Sequence, residues 1–434
     1  MALLLVVAPV AAQAPDPAPL PPGASAALDS ARATRGEALT VSLYTYGPSD
    51  VFFERFGHAA IGISDRLTQQ DVAFNWGIFD FDQPNFLLRF LTGDTKYQMA
   101  GYPTLLFNGV YQADNRSIRQ QVLALTPVER AALLEYVQWN AREANKFYRY
   151  DYYRDNCSTR VRDLLNWVLR GQLQPALQRP GSGRTWRGET ARVLHGMTTL
   201  VLGIDIALGR HADAPLSAWD EEFLPEHMAE HLAAPWMRVN GVNGARALVA
   251  HDTVLFASTR PPLPAQAPSR VLWALVAGLV LSALLLIAGQ SPTVAPRRIA
   301  AVAVALWGLV TGLLGVALLV FATVTKHAPY MGANTTLLLA QPLMLVVAVL
   351  LPRALWRGVS TPAARGLSAL IAGCALVAVV AEVLPAFHQE SLAVLALIVP
   401  VQITLALLLW RLPRTAATGA QPAGATASAH RPRA

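Results

Sequence analysis

The chain has 434 residues, 53% of them hydrophobic and 15% charged, with a formal net charge of +7. Soluble domains carry about 25% charged residues, so this composition excludes a purely cytosolic enzyme, and it excludes disorder as the main state. The charge is also split: residues 264–434 hold 11 Lys and Arg against 2 Asp and Glu, and residues 1–263 hold 24 against 26. A basic apolar half points to membrane topology before nucleic acid, so no nucleic-acid partner is expected.

Residues 1–14 (MALLLVVAPVAAQA) form an apolar run too short to span a bilayer and end on an A-x-A pattern. They read as a signal peptide, or a truncated signal lacking its basic region. Residues 15–36, rich in Pro and Ala, read as a flexible leader. Residues 37–260 have the mixed polarity of an exported globular domain. There Leu39, Val41 and Leu43 alternate with polar residues, RFGHAAIGI (55–63) alternates again, and VAFNWGIF (72–79) gives a third strand. A hairpin between the last two, with Ile61 opposite Val72, sets His58 opposite Asn75 on one face. SIRQQVLAL (117–125) predicts a further strand. Trp76, Phe79, Phe81 and Phe86 are expected in the core rather than along a ligand groove.

Thr126-Pro127-Val128-Glu129 is a capping box with Pro at the first helical position, opening a helix to about Asn145. Val161, Leu164, Leu165 and Val168 then mark one face of a helix ending at Gly171, with Cys157 in its first turn. His227 and His231 match H-x-x-E-H, but the exported domain offers only Asp252 as an acidic ligand downstream. The run reads instead as an amphipathic helix packing Phe223, Leu224, Met228 and Leu232 with the histidines solvated, and no metal or cofactor is expected.

Pro261, Pro262, Pro264 and Pro268 mark a linker over 261–270. Five apolar segments follow within 271–410, at about 271–289, 299–325, 335–351, 367–385 and 391–410, near the ~20 residues a spanning helix needs. Arg297 and Arg298, then Arg353, Arg357 and Arg365, then Arg411 and Arg414 occupy alternate connections. The positive-inside rule puts those connections in the cytoplasm and residues 37–260 in the periplasm, on an inner membrane. The tail, 411–434, reads as cytoplasmic and disordered.

Cys157 and Cys374 fall in different halves, so no disulfide framework exists. A helix start offers free N–H groups and positive dipole, which favour thiolate. His58 is a candidate base for Cys157, Asn75 a candidate to hold the imidazole tautomer, and the N–H of Cys157 or Ser158 a candidate oxyanion donor. The polar flank RDNCSTR argues against an inert buried cysteine; spacing alone leaves both readings open. Arg116, Arg184 and Arg187, with His327 and Asn334 (and Lys326 beside them), are candidates for a lipid head group or for ordinary structural roles.

The runs FGHAAIGI (56–63), NWGIFDFDQPNF (75–86), YDYYRDNCSTRVRD (150–163), GIDIALG (203–209), WDEEFLP (219–225) and HAPYMGANTTLLLAQPL (327–343) resemble the Lnb-type N-terminal periplasmic domain family, named for a lipoprotein N-acyltransferase of Bacteroides. The resemblance implies a thiol matching Cys157 and a histidine matching His58. It also implies a membrane phospholipid as acyl donor and a lipoprotein amino terminus or other amine as acceptor. A strand His followed about a hundred residues later by Asn-Cys at a helix start is similar to circularly permuted papain-like folds and to the lecithin:retinol acyltransferase group. That group continues Glu-His where this chain has Ser158-Thr159, so no third catalytic residue carries over and Asn75 rests on geometry. The expectation is an α+β, papain-like (permuted NlpC-type) exported domain followed by an all-α five-helix membrane domain, acting as a thiol acyltransferase or hydrolase. A thiol amidase or peptidase on cell-wall peptides and a non-enzymatic envelope scaffold are the alternatives.

Overall fold

The computed structural model describes residues 26–80, 82–241 and 244–414. The signal reading at 1–14, the first half of the leader, Phe81 and the tail beyond 414 lie outside them. The chain folds as two compact units. The first contains residues up to Arg270 together with Leu318–Thr336 and Pro385–Ser391; the second contains the remainder of the apolar half.

The first unit is built on a seven-stranded antiparallel sheet. Its strands in chain order are β1 (Leu39–Tyr46), β2 (His58–Asp65), β3 (Gln70–Ile78), β4 (Lys96–Pro103), β5 (Ile118–Leu123), β6 (Phe147–Arg149) and an edge strand, Val249–Phe256. The spatial order is β6-β4-β3-β2-β1-β5, with the edge strand beside β5. The sheet is covered on both faces, as alternation predicts when each parity of a strand is apolar. Leu39, Val41, Leu43, Ala59, Ile61 and Trp76 face a core filled by the helices Pro127–Asn140 and Cys157–Val168. Tyr44, Tyr46 and Ala60 face the other way, against Phe107 and Tyr111 of the helix Thr104–Ala113.

Several expectations need correction. In the β2–β3 hairpin Ile63, not Ile61, faces Val72, and Ala60 faces Asn75. The slip is two residues, which preserves parity: His58 stays on the face of Ala60 and Asn75 but one pair removed. Part of the leader is ordered. Ala26–Gly36 is a helix, and Arg32 ties it to Glu135 with Nε–Oε1 at 3.0 Å. Its Ala- and Arg-rich sequence suits a helix better than the Pro-rich residues before it. The helix from Pro127 stops at Asn140, whose amide donates to the carbonyl of Asn145 at 2.8 Å and turns the chain. Trp76 is core, but Phe79 lies on a cavity wall.

Among the described residues four helices are long and apolar enough to cross a membrane: Val271–Gly289, Val294–Thr323, Pro362–Val383 and Leu392–Arg411. The third expected segment is different. Its helix runs over Met344–Arg357, only 14 residues, after a short 3-10 turn at Thr335–Leu338. Pro342 disfavours helix at Gln341, so the helix starts later than hydropathy alone suggests. The connections bearing Arg meet at one end of the second unit. Ser360 N donates to Pro413 O at 2.8 Å, Arg365 bonds Ser360 Oγ and the Leu412 carbonyl, and Arg411 bonds Gln290 at 3.0 Å.

Candidate active site

Cys157 is the first residue of the helix Cys157–Val168. Asn156 caps it: its Oδ1 accepts from the N–H groups of Ser158 at 2.9 Å and Thr159 at 3.0 Å, while Thr159 Oγ1 accepts from Asn156 N at 2.8 Å. The Asn156 amide also donates to the carbonyls of Tyr152 and Phe223, both at 3.0 Å. The helix start is therefore held from both sides, and the thiol's backbone cannot drift. Ser158 N–H serves the cap, and it lies against the Cys157 sulfur as well, as does the N–H of Cys157 itself. The polar flank has structural work too, since Asp155 pairs with Arg160 and Ser158 Oγ reaches Met228 Sδ at 3.8 Å. A polar flank is thus no argument for reactivity here.

His58 opens β2, and Gly77 of β3 lies beside both it and the cysteine. Gly77 has φ +97°, and a Cβ there would lie 3.6 Å from Cys157 Cβ and 3.9 Å from His58 Cε1. Glycine at this point keeps a side chain out of the space that Cys157 and His58 both border. The imidazole stacks on Tyr111 at 6.0 Å between centroids and 13° between planes, with Tyr46 at 6.2 Å and Phe107 at 6.1 Å. Its Nε2 is buried without a hydrogen-bond partner. Asn75 is buried, donates to the Ala100 carbonyl at 3.2 Å and also bonds the imidazole. All three candidates thus reach one place.

Both His58 and Cys157 are half-buried and line a cavity deep enough to desolvate them. Burial, then the charge of Arg116, lowers the His58 pKa to about 4, with the Asn75 bond acting the other way. Burial raises the Cys157 pKa, against the backbone N–H groups of Ala59, Ser158 and Cys157 and the charge of Arg116. The helix start was expected to tip the thiol towards thiolate; desolvation outweighs it. The resting pair is neutral thiol and neutral imidazole.

The cavity measures about 980 Å³ and is walled mainly by aromatic and aliphatic side chains, including Phe52, Phe53, Phe79, Phe90, Leu106 and Val110. Arg116 and His327 line it. Arg116 is buried, donates to the Gly47 carbonyl at 2.7 Å, pairs with Glu54 at 3.1 Å and sits over the Tyr111 ring. His327 Nε2 lies 3.2 Å from the Phe90 carbonyl, and burial lowers its pKa. The structure does not bring Arg187 or Asn334 to the cavity. Arg187 is spent on Asp213 and on the carbonyls of Asp205 and Leu208. Asn334 is spent on Ile206, Ala207, Thr336 and Gln389. Sequence reasoning missed Gly77 and Tyr111; the glycine interrupting an alternating strand in NWGIF was the available signal.

The H-x-x-E-H histidines are not solvated. His227 and His231 lie on the helix Pro225–Ala233, but they face different carboxylates. His227 Nε2 is 2.7 Å from Glu189, and His231 Nε2 is 3.3 Å from Glu221. Glu189, Glu226 and His227 offer ligand atoms within 4.8 Å of one another. Arg192 pairs with both of those glutamates and Arg184 lies 3.3 Å from Glu189, so the atoms a cation would need already serve buried ion pairs. Burial works to lower the His231 pKa, but Glu221 and Glu222 outweigh it and raise it to about 9.

Residues 28–191 match the family described as the Lnb N-terminal periplasmic domain, the family the sequence motifs resemble. The match takes in β1 to β6, His58, Asn75 and Cys157 and ends before the motifs at 203–209, 219–225 and 327–343. No curated protein and no solved structure matches the chain. A match to a periplasmic-domain family, followed by membrane-length helices, fits a membrane-anchored periplasmic protein.

Proposed function

We propose that the protein is a thiol acyltransferase that takes an acyl chain from a membrane phospholipid through a Cys157 thioester and passes it to an amine, the amino terminus of a lipoprotein among the candidates. The observation that carries this reading is that Cys157 and His58 line one large apolar cavity, with His58 Nε2 buried and unpartnered. An imidazole with a free nitrogen beside a neutral thiol acts as a general base at the moment of attack. His58 Nε2 takes the thiol proton as Cys157 Sγ bonds to the ester carbonyl carbon. The Cys157 N–H and the Ala59 N–H that already face the sulfur stabilise the oxyanion. Collapse breaks the carbon–oxygen bond, and the imidazolium gives its proton to the departing lysolipid oxygen. An amine nitrogen then attacks the thioester, forms the amide and returns the thiol.

A cysteine opening a helix that packs on a His-bearing antiparallel strand supports the papain-like reading of the domain. The apolar cavity favours a fatty chain over a cell-wall peptide, and a half-buried sulfur on its wall fits an enzyme better than a scaffold. On this reading the chain sits in the inner membrane with its Arg-rich connections and C-terminus in the cytoplasm.

The test is intact-mass analysis of the full-length chain after incubation with phospholipid vesicles and no acceptor. Wild type gains one acyl mass that hydroxylamine removes; Cys157→Ala gains none at unchanged protein level. An acyl adduct, or acyl transfer, retained by Cys157→Ala would exclude the scheme.

A further inference from the structure

The helix Phe86–Thr92 exposes Leu87, Leu88, Phe90 and Leu91, and the helix Thr104–Ala113 exposes Leu105, Leu106 and Val110. Leu105 is 84% exposed and Leu88 62%. Neither helix contains an acidic residue, and their only charge is Arg89. Such a concentration of bare aliphatic side chains on one unit demands an occupant. Phe90, Leu91, Leu106 and Val110 also line the cavity, so the exposed patch is the rim of its mouth.

What covers this rim follows from its tether. Lys326 N donates to the Thr92 carbonyl at 2.9 Å, and His327 Nε2 sits 3.2 Å from the Phe90 carbonyl. Lys326 comes three residues after the end of Val294–Thr323, a helix of membrane length. Phe321, in the last turn of that helix, lines the same cavity. A spanning helix ends where hydrocarbon gives way to head groups, so residues bonded just beyond its end lie at the depth of the bilayer interface. Aliphatic side chains held there, flanked by Arg89 and Lys326, have the composition of an interfacial anchor.

We propose that Phe86–Thr92 and Thr104–Ala113 are membrane-inserted lips, and that the cavity opens into the lipid leaflet rather than into water. The inference rests on the structure around the mouth and deepens the acyl-transfer reading: the donor chain enters sideways from the bilayer without crossing the aqueous phase.

The experiment uses the full-length chain carrying Cys157→Ser and Cys374→Ser in phosphatidylethanolamine–phosphatidylglycerol vesicles. A nitroxide is placed in turn at Leu88→Cys, Leu105→Cys and, as the aqueous reference, Glu143→Cys; Leu88 and Leu105 are exposed, and Glu143 sits in a surface turn with its side chain 78% exposed. Power saturation compares relaxation by oxygen, which concentrates in lipid, with relaxation by a water-soluble nickel chelate. Positions 88 and 105 are expected to be relaxed several-fold more by oxygen than by nickel, with the order reversed at 143. Ready relaxation of 88 and 105 by nickel overturns the proposal. Shielding of both positions from both reagents also overturns it, because a protein surface or a second copy then covers the lips. The labelled chain has no thiol at 157, so failure here leaves the acyl-transfer reading standing, and failure of the mass assay leaves the lips standing.

Discussion

At the scale of single residues the chemistry turns on where one proton rests. A free histidine titrates near 6.5, but burial and the neighbouring guanidinium hold His58 at about 4. The thiol is displaced the opposite way, above its ordinary range. A base of depressed pKa is fully available above that pKa and is lost as pH falls through it. The acid limb of thioester formation therefore has its midpoint near pH 4 to 5, and the rate is flat from pH 6 to 8. A preformed thiolate–imidazolium pair would instead titrate as two groups, the thiolate below neutrality. Single-turnover acylation across pH 4 to 9 separates the two, and an inflection near 6.5 would contradict the buried-base account. Arg116→Gln removes a charge that depresses both groups, so it should shift the acid limb upward and make the thiol harder to ionise.

At the scale of elements, the helix that presents the thiol depends on its cap. Asn156 satisfies two backbone donors through Oδ1 and two carbonyls through its amide. Losing an N-cap side chain costs about 1–2 kcal/mol. Asn156→Ala should fall at the upper end of that range because the Phe223 carbonyl, buried with it, also loses its donor. Asn156→Asp keeps the Oδ acceptor and should recover about half. Urea midpoints of the three chains check the order, and an alanine variant as stable as wild type would mean the cap is dispensable. The capping boxes at Thr126 and Asn156, the strand alternation and the helix face from Val161 to Val168 were legible because each is a local signal. Partner choice was not local. The two-residue slip of the hairpin is invisible to alternation, which repeats every two residues, and its correction needed the neighbouring strand. Whether desolvation or helix-start donors govern Cys157 was likewise hidden, since it depends on Arg116, Tyr111 and the cavity walls drawn from distant parts of the chain. The histidines at 227 and 231 were misjudged for the same reason: Glu189 lies 38 residues away in sequence and 2.7 Å away in space.

At the scale of the whole molecule the open matter is how many times the chain crosses the membrane. Four helices have full length, and Met344–Arg357 has 14 residues, about 21 Å at 1.5 Å per residue against roughly 30 Å of hydrocarbon. Four crossings would leave both ends of the apolar half on one side; five would separate them. The alternation of Arg-bearing connections along the sequence expects five. After Arg270 the chain leaves the first unit, returns to it over Leu318–Thr336, leaves again, and returns over Pro385–Ser391 before the last helix. The intervening connections at Gln290, Ser360 and Leu412 are bonded to one another at one end of the second unit, where the arginines gather. On the five-crossing reading residues 337–357 cross too, the short helix being completed by the turn and the residues around Pro342, with the small cost a membrane accepts for a short hydrophobic match. In a Cys157→Ser, Cys374→Ser chain, a membrane-impermeant maleimide applied to intact spheroplasts should label Thr259→Cys at once. Thr293→Cys, Arg357→Cys and Arg414→Cys should react only after the membrane is opened. If Arg357→Cys and Arg414→Cys react together with Thr259→Cys, the short helix does not carry the chain across, and the assignment of the arginines to the cytoplasm fails with it.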